Sequence, residues 1–267
     1  MTICALFMRL IMWIDTHCHL DFIYENKLKD ESLFDNSLLD FIICPSANHK
    51  SFNILKKLNH KNKSIVYAFG YHPLYLNELP ENPIQYLENE ILNSQPIAIG
   101  EIGLDFYLGH EEREKQKIIF RQQLELASKY KLPVILHVRS AIDDVLKILK
   151  NFPDVKGIAH AFNGSFQQAQ QFINIGFKLG FGGAMTYSRA KKINRLALEL
   201  PIESIVLETD APDMKPAWVN AASQNHPNEI RGIAEFFAQL RNISVNDLSW
   251  QLKNNIADIF PDLGTAS

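Results

Sequence analysis

The stretch Pro133-Val134-Ile135-Leu136-His137-Val138-Arg139 carries the pattern on which the fold turns: a short apolar run that ends in polar side chains. Runs of this kind, rich in Val, Ile and Leu, fit parallel strands buried on both faces. Seven more follow the same rhythm, at Ile11–Thr16, Phe41–Pro45, Ile65–Phe69, Pro96–Gly100, Gly157–His160, Phe177–Phe181 and Ile205–Thr209. Segments with helical periodicity lie between them. The clearest, Glu111 to Tyr130, sets Ile119, Phe120, Leu124, Leu126 and Ala127 largely along one face. Pro133 punctuates its exit, and Ser140 followed by Asp143 predicts a capping box at the next helix.

Strand-then-helix units repeated in this way predict an α/β chain folded as a closed (β/α)8 TIM barrel rather than a doubly wound open sheet. The polar residues decide between the two. His17 and His19 follow the first run, His72 the third, Glu101 the fourth, His137 and Arg139 the fifth, His160 the sixth and Asp210 the eighth. In a barrel these strand ends converge on one mouth, where barrel enzymes keep their chemistry. An open sheet would spread them along an edge.

The bulk properties agree. A length of 267 residues with 46% hydrophobic and 21% charged residues suits one large domain spanning 1–267 with a sizeable core. Residues 1–11 are expected to be a dispensable apolar extension, with Met8 and Met12 as alternative starts. A signal peptide is disfavoured because no A-x-A-like cleavage site follows. The net charge of −3 argues against a protein that coats duplex nucleic acid, but leaves room for a small cleft in which metal ions supply positive charge. Cys4, Cys18 and Cys44 form no disulfide framework, and no apolar stretch reaches membrane-spanning length. A cytoplasmic protein with no membrane association is expected.

His17-Cys18-His19 sets two imidazoles on one side of a strand end, so both can reach one metal ion while Cys18 faces elsewhere as a packing thiol. Glu101 ends an apolar run, where a carboxylate is costly unless it is paired or bound to a cation. Its two oxygens can bridge two ions, and Asp105 is expected to support a ligand from behind. His137 and His160 close two further runs as candidate ligands. Arg139, two residues beyond His137, fits either a phosphate grip or a structural ion pair. His72 fits contact with substrate phosphate, orientation of a ligand, or a plain loop histidine. Asp210 is placed to ligate metal or accept a proton, and Glu208 is expected to face away as a structural residue. His49, His60, His110 and His226 lack a strand-end setting and are read as loop or surface residues. The charged segment Tyr187 to Arg195 follows the seventh run, where barrels often bind phosphate, but is read as a solvated helix face. The sum is a ligand set for two divalent ions sharing a hydroxide. Zinc, manganese or magnesium could serve, although so many histidines disfavour magnesium.

Six pieces, in order, resemble the TatD family of metal-dependent hydrolases: Asp15-Thr16-His17-Cys18-His19-Leu20, Gly70-Tyr71-His72-Pro73, Gly100-Glu101-Ile102-Gly103-Leu104-Asp105, His137-Val138-Arg139, His160-Ala161-Phe162-Asn163-Gly164 and Glu208-Thr209-Asp210-Ala211-Pro212. The resemblance implies a TIM-barrel phosphodiesterase acting on DNA, often as a 3′–5′ exonuclease. It implies divalent ions held by His17, His19, Glu101, His137, His160 and Asp210, and a single-stranded or 3′-terminal DNA substrate. Catalysis would fall to Asp210 and Glu101, with His72 and Arg139 binding substrate. The family's Arg-Asn-Glu-Pro-like run is incomplete here: Pro227-Asn228-Glu229-Ile230 keeps only the Asn and Glu.

Two rivals stand beside this reading. An amidohydrolase-type enzyme would act on a cyclic amide, lactone or small phosphoester, but resemblance to such barrels predicts a bridging lysine after the fourth strand, where this chain has Glu101. A non-catalytic binding scaffold would leave buried carboxylates and histidines unmatched.

Overall fold

The computed structural model describes residues 13–26, 39–107 and 112–264. The strands are β1 (Trp13–Asp15), β2 (Leu39–Pro45), β3 (Ile65–Phe69), β4 (Ala98–Asp105), β5 (Val134–Arg139), β6 (Gly157–Ala159), β7 (Phe177–Phe181) and β8 (Ile205–Leu207). All lie parallel, each beside the next in sequence. The seam between β8 and β1 is closed by hydrogen bonds at the strand ends. Thr16 N–H donates to Leu207 O at 3.2 Å, Asp210 N–H to His17 O at 2.8 Å and His19 N–H to Ala211 O at 2.8 Å. The fold is a (β/α)8 barrel.

The helices are α1 (Leu20–Asn26), α2 (His49–Lys61), α3 (Pro83–Ser94), α4 (Arg113–Tyr130), α5 (Ile142–Leu149), α6 (Phe166–Asn174), α7 (Lys191–Glu199), α8 (Ile230–Arg241), α9 (Val245–Ala257) and α10 (Pro261–Gly264). Side chains such as Phe69, Leu104, Phe120, Leu136, Phe172 and Phe237 fill the layer between strands and helices. Full burial of such a side chain is worth about 1.5–3 kcal/mol.

A second cluster fills the barrel itself. Ile14, Ile43, Ala68, Ala98, Ile135, Ile158 and Val206 meet Ile256, Ile259, Phe260 and Leu263, so the C-terminal residues close one mouth. It is the N-terminal mouth, because their polar partners are the strand starts. Asn255 Nδ2 donates to Ile202 O and Ile205 O at 2.7 Å each. Lys178 pairs with Asp258 at 2.6 Å and Lys253 with Asp40 at 2.5 Å.

Two local expectations change. The fourth run does not stop at Gly100, since β4 continues to Asp105. Ile99 pairs with Val134 and Ile102 with Leu136, so β4 advances three residues while β5 advances two. That bulge, with one extra residue, interrupts the pattern by which the strand was read and re-aims Glu101. The capping box at Ser140 does not form: Ser140 has φ +55°, and α5 starts from Ala141 without a side-chain cap. A capping box does form one helix later, where Ser165 and Gln168 bond reciprocally at the start of α6. The apolar extension 1–11, Met12, His110 and Glu111 lie outside the described residues. Among the described residues no helix is long and apolar enough to cross a membrane.

Candidate active site

The middle of β4, the C-terminal half of β5 and the segments after β1, β6 and β8 bring Glu101, His137, His17, His19, His160 and Asp210 together at the C-terminal mouth, with His72 beside them. Glu101 is the hub, buried to 1% exposure. Its Oε2 lies 3.3 Å from both His17 Nε2 and His19 Nε2. The two nitrogens are 3.1 Å apart, and Asp210 Oδ1 stands 3.5 and 3.7 Å from them. Its other oxygen, Oε1, faces a different set: His137 Nδ1 at 3.0 Å, His160 Nε2 at 3.6 Å and His72 Nε2 at 3.7 Å. One carboxylate is thus shared between two groups of donors.

Some of the imidazoles are set by contacts behind them, whereas Nδ1 of His17 and of His19 is buried without a hydrogen-bond partner among the described residues. His137 Nε2 meets Asp105 Oδ2 at 3.0 Å, as expected of a supporting carboxylate. Gln116, on the buried face of α4, fixes Asp105 in turn: its Oε1 accepts from Asp105 N–H at 2.8 Å and its Nε2 donates to Asp105 O at 3.0 Å. One heptad on, Gln123 clasps the Tyr71 backbone in the same two-bond manner at 2.7 and 3.2 Å, which steadies the loop carrying His72. Polar residues spaced by seven on an apolar helix face were the sequence signal for this clamp, and it went unread.

Glu208 corrects an expectation. It does not face away: its Oε1 lies 3.2 Å from His160 Nδ1 and accepts from Ala161 N–H at 2.6 Å. Glu208 shares strand parity with Val206, an interior residue, and period two therefore turns both inward. Gly180 on β7 is needed for this, because a Cβ there would collide with the Glu208 carboxylate. Asp15 was also missed. It lies within an apolar run but is buried, and its Oδ1 accepts from Thr209 N–H at 2.9 Å and His17 N–H at 3.2 Å, tying β8 to the histidine pair.

Electrostatics follow from depth. Burial pushes the Asp15 carboxyl up to about 8 against the hydrogen bonds of Thr209. Burial also raises Asp210, to about 6, against the attraction of His160 and His19. Burial would raise Glu101 too, but the surrounding His17, His72 and His160 hold it well below the usual carboxylate range. Burial takes His72 down to about 3, so its ring is neutral. His72 Nδ1 accepts from Leu74 N–H at 3.1 Å, which leaves the ring proton on Nε2, the atom facing Glu101.

Arg139 stands apart from the hub. Its side chain is 49% exposed, with its guanidinium 3.7 Å from the Tyr107 ring centroid and 3.9 Å from Asp105 Oδ2. It lines a cleft of about 940 Å³ together with His137, His160, Asn163 and Asp210. Cys18 is buried away from the hub, its thiol directed to Ala211 O at 3.6 Å. His226 serves a local turn, with Nδ1 accepting from Asn228 N–H at 3.2 Å.

Comparison with known proteins shows the family. The family described as TatD related DNase matches residues 14–261. An uncharacterized metal-dependent hydrolase of Escherichia coli K12, YjjV, is 34% identical over 93% of this chain and 97% of its own length. The crystal structure of that TatD homologue superposes with a TM-score of 0.85, covering 93% of this chain and 98% of the other. An uncharacterized metal-dependent hydrolase of Haemophilus influenzae is 33% identical over 93% of this chain and 99% of its own. Barrel and relatives together define a metal-dependent hydrolase. The chain belongs to the TatD family.

Proposed function

We propose that this hydrolase is a phosphodiesterase that cleaves DNA, working as a 3′–5′ exodeoxyribonuclease with two divalent ions. The observation that carries the reading is the division of Glu101 between two donor groups. Around Oε2, the contacts among His17, His19, Glu101 and Asp210 run from 3.1 to 3.7 Å. Four ligands at about 2.0–2.1 Å from a tetrahedral ion would stand about 3.3 Å apart. That set therefore fits a metal ion in charge, donor type and spacing. The trios of donors close enough to share an ion include His72, Glu101 and His137 on the Oε1 side, and His17, Glu101 and His160 between the two sides. We assign a second ion to the Oε1 side, where His137 and His160 would hold it and Glu101 would be common to both. His72 is assigned to substrate instead of metal, because a nitrogen that carries the proton has no lone pair to give.

Divalent ions supply Lewis acidity in such a site, activating water near neutral pH and neutralising phosphate charge. The chain's own residues do the rest. Asp210 holds the attacking water and takes its proton, its carboxylate standing 3.5 Å from His17 Nε2 at the edge of the open cleft. His72 Nε2–H donates to a non-bridging phosphate oxygen. Arg139, braced on Tyr107, grips the phosphate from the rim with its planar fork. Asp105 and Glu208 hold His137 and His160 in orientation. Binding a compact anion is consistent with a chain of net charge −3, since the positive charge is local.

The test is metal analysis of the purified protein followed by a substrate panel of single-stranded DNA, RNA, a phosphotriester and a dihydropyrimidine amide. The reading expects close to two ions per chain and stepwise shortening of the oligonucleotide from its 3′ end. Efficient cleavage of a neutral compound, with oligonucleotides untouched under every divalent metal, would overturn it.

A further inference from the structure

We infer that the groove between the start of α6 and the start of α7 is a track for the single-stranded portion of the substrate, leading the chain away from the scissile phosphate. The inference rests on the phosphodiesterase reading above and adds to it a second contact region that none of the strand-end motifs marks. The groove has a volume of about 370 Å³ and is lined by Ser165, Phe166, Lys191, Lys192, Arg195 and Leu196.

Its composition is that of a single-strand site: an aromatic platform flanked by cations. Phe166 is the first residue of α6, yet its ring is 47% exposed. An apolar ring there contributes little to the core, whereas a polar residue would serve the helix equally well. Lys191 and Lys192 occupy the first turn of α7, which has no acidic residue and no side-chain cap. Cations at a helix N-terminus oppose the helix dipole, so these lysines do not serve α7 itself. Arg195, one turn later, meets Glu199 at 2.9 Å in an exposed pair. Exposed pairs are weak, and a phosphate can compete for that guanidinium.

The groove lies beside the active cleft, the cleft ending at Asn163 where the groove begins at Gly164. Asn163 lines the cleft, Ser165 and Phe166 line the groove, and Lys192 Nζ donates to Asn163 O at 2.7 Å, tying the two together. Charge then sets the direction. The cleft's other walls carry Arg139, the phosphate grip, and beyond it Asp143, Asp144 and Asp213. Asp144 is paired with Lys117 at 3.1 Å, but Asp143 meets the neutral amide of Gln168 at 2.8 Å. A polyanionic strand whose scissile phosphate is held at Arg139 meets these three carboxylates if it continues along that wall, and the cations of α7 if it leaves past His160 toward the groove. The basic segment ending at Arg195, read from sequence as a solvated face, thus gains a role once the fold sets Phe166 beside it.

The experiment compares kcat/KM on a twelve-residue oligothymidylate with kcat/KM on thymidine p-nitrophenyl phosphate, which is too short to reach the groove. The proteins are wild type, Phe166→Ala and the double variant Lys191→Gln/Arg195→Gln. The ratio of long to short substrate should fall about tenfold for Phe166→Ala through loss of stacking, and the loss should appear in KM. For the double variant the slope of log binding constant against log salt should become shallower by about 1.4, from two lost phosphate contacts on a single strand. A ratio within twofold of wild type in both variants, with an unchanged salt slope, would overturn the track and leave the nuclease reading intact. If wild type hydrolyses the nitrophenyl ester but no oligonucleotide, the nuclease reading fails. Fluorescence anisotropy of the labelled oligothymidylate then decides the groove separately, weakened binding in the variants supporting it and equal binding refuting it.

Discussion

The two mouths of the barrel are built from the same eight strands, yet they are opposite in chemistry. The N-terminal mouth is plugged by Ile256, Ile259, Phe260 and Leu263, and its polar contacts are all matched: Asn255 with carbonyls, Lys178 with Asp258, Lys253 with Asp40. The C-terminal mouth gathers histidines around a buried carboxylate, with both of its oxygens facing ring nitrogens. One mouth is closed by apolar packing and the other gathers candidate metal ligands. Substitutions at the two mouths should therefore separate stability from turnover.

The sharpest way to break the comparison is Glu101→Gln. It keeps the volume and removes the charge shared by both donor groups, so turnover should fall by about a thousandfold or more while the circular dichroism spectrum is unchanged. Turnover near wild type would show that the mouth does not depend on this carboxylate. The reciprocal change is Phe260→Ala, which opens a cavity in the apolar plug. It should lower unfolding free energy by about 3–5 kcal/mol, read by urea denaturation, with kcat on the folded protein within twofold of wild type. A plug variant that lost activity without losing stability would mean that the two mouths are coupled.

A finer test asks whether the residues behind the histidines belong to the metal-binding mouth. Glu208→Gln keeps a hydrogen-bond acceptor for Ala161 N–H but removes the charge beside His160. It should weaken metal affinity about ten- to a hundredfold, measured by competition with a chelating dye, and leave urea denaturation of the metal-free protein nearly unchanged. The smallest effect is expected at the rim. Arg139→Ala should lower kcat/KM on single-stranded DNA about tenfold with normal metal content, and Arg139→Lys should recover only part, since the ammonium lacks the planar fork. Equal losses on an oligonucleotide and on a neutral ester would make Arg139 a structural partner of Asp105 and Tyr107.

The two mouths also differ in how readily they were read from sequence. The upper one was legible because its residues interrupt apolar runs: a histidine after Val134-Ile135-Leu136 or after Gly157-Ile158-Ala159 has few reasons to be there. The plug was not, since Ile256, Ile259 and Phe260 look like any amphipathic helix end, and nothing local says that they enter a barrel. Glu208 was misassigned although its parity with Val206 pointed inward, and the β4 bulge hid Glu101's continuation to Asp105 because alternation fails across an inserted residue. Gln116 and Gln123 show in the sequence only as a seven-residue spacing on an apolar helix face, because their partners are backbone atoms that the pattern does not name.

The central claim is that Glu101 joins two ion sites through its two oxygens. It is tested most directly by counting bound metal in wild type and Glu101→Gln, by inductively coupled plasma mass spectrometry after equilibration with zinc or manganese at a fixed free concentration. A bridging role predicts about two ions per wild-type chain and a fall at both sites together in the variant. A single ion per wild-type chain, or two ions held equally well without the Glu101 charge, would contradict it.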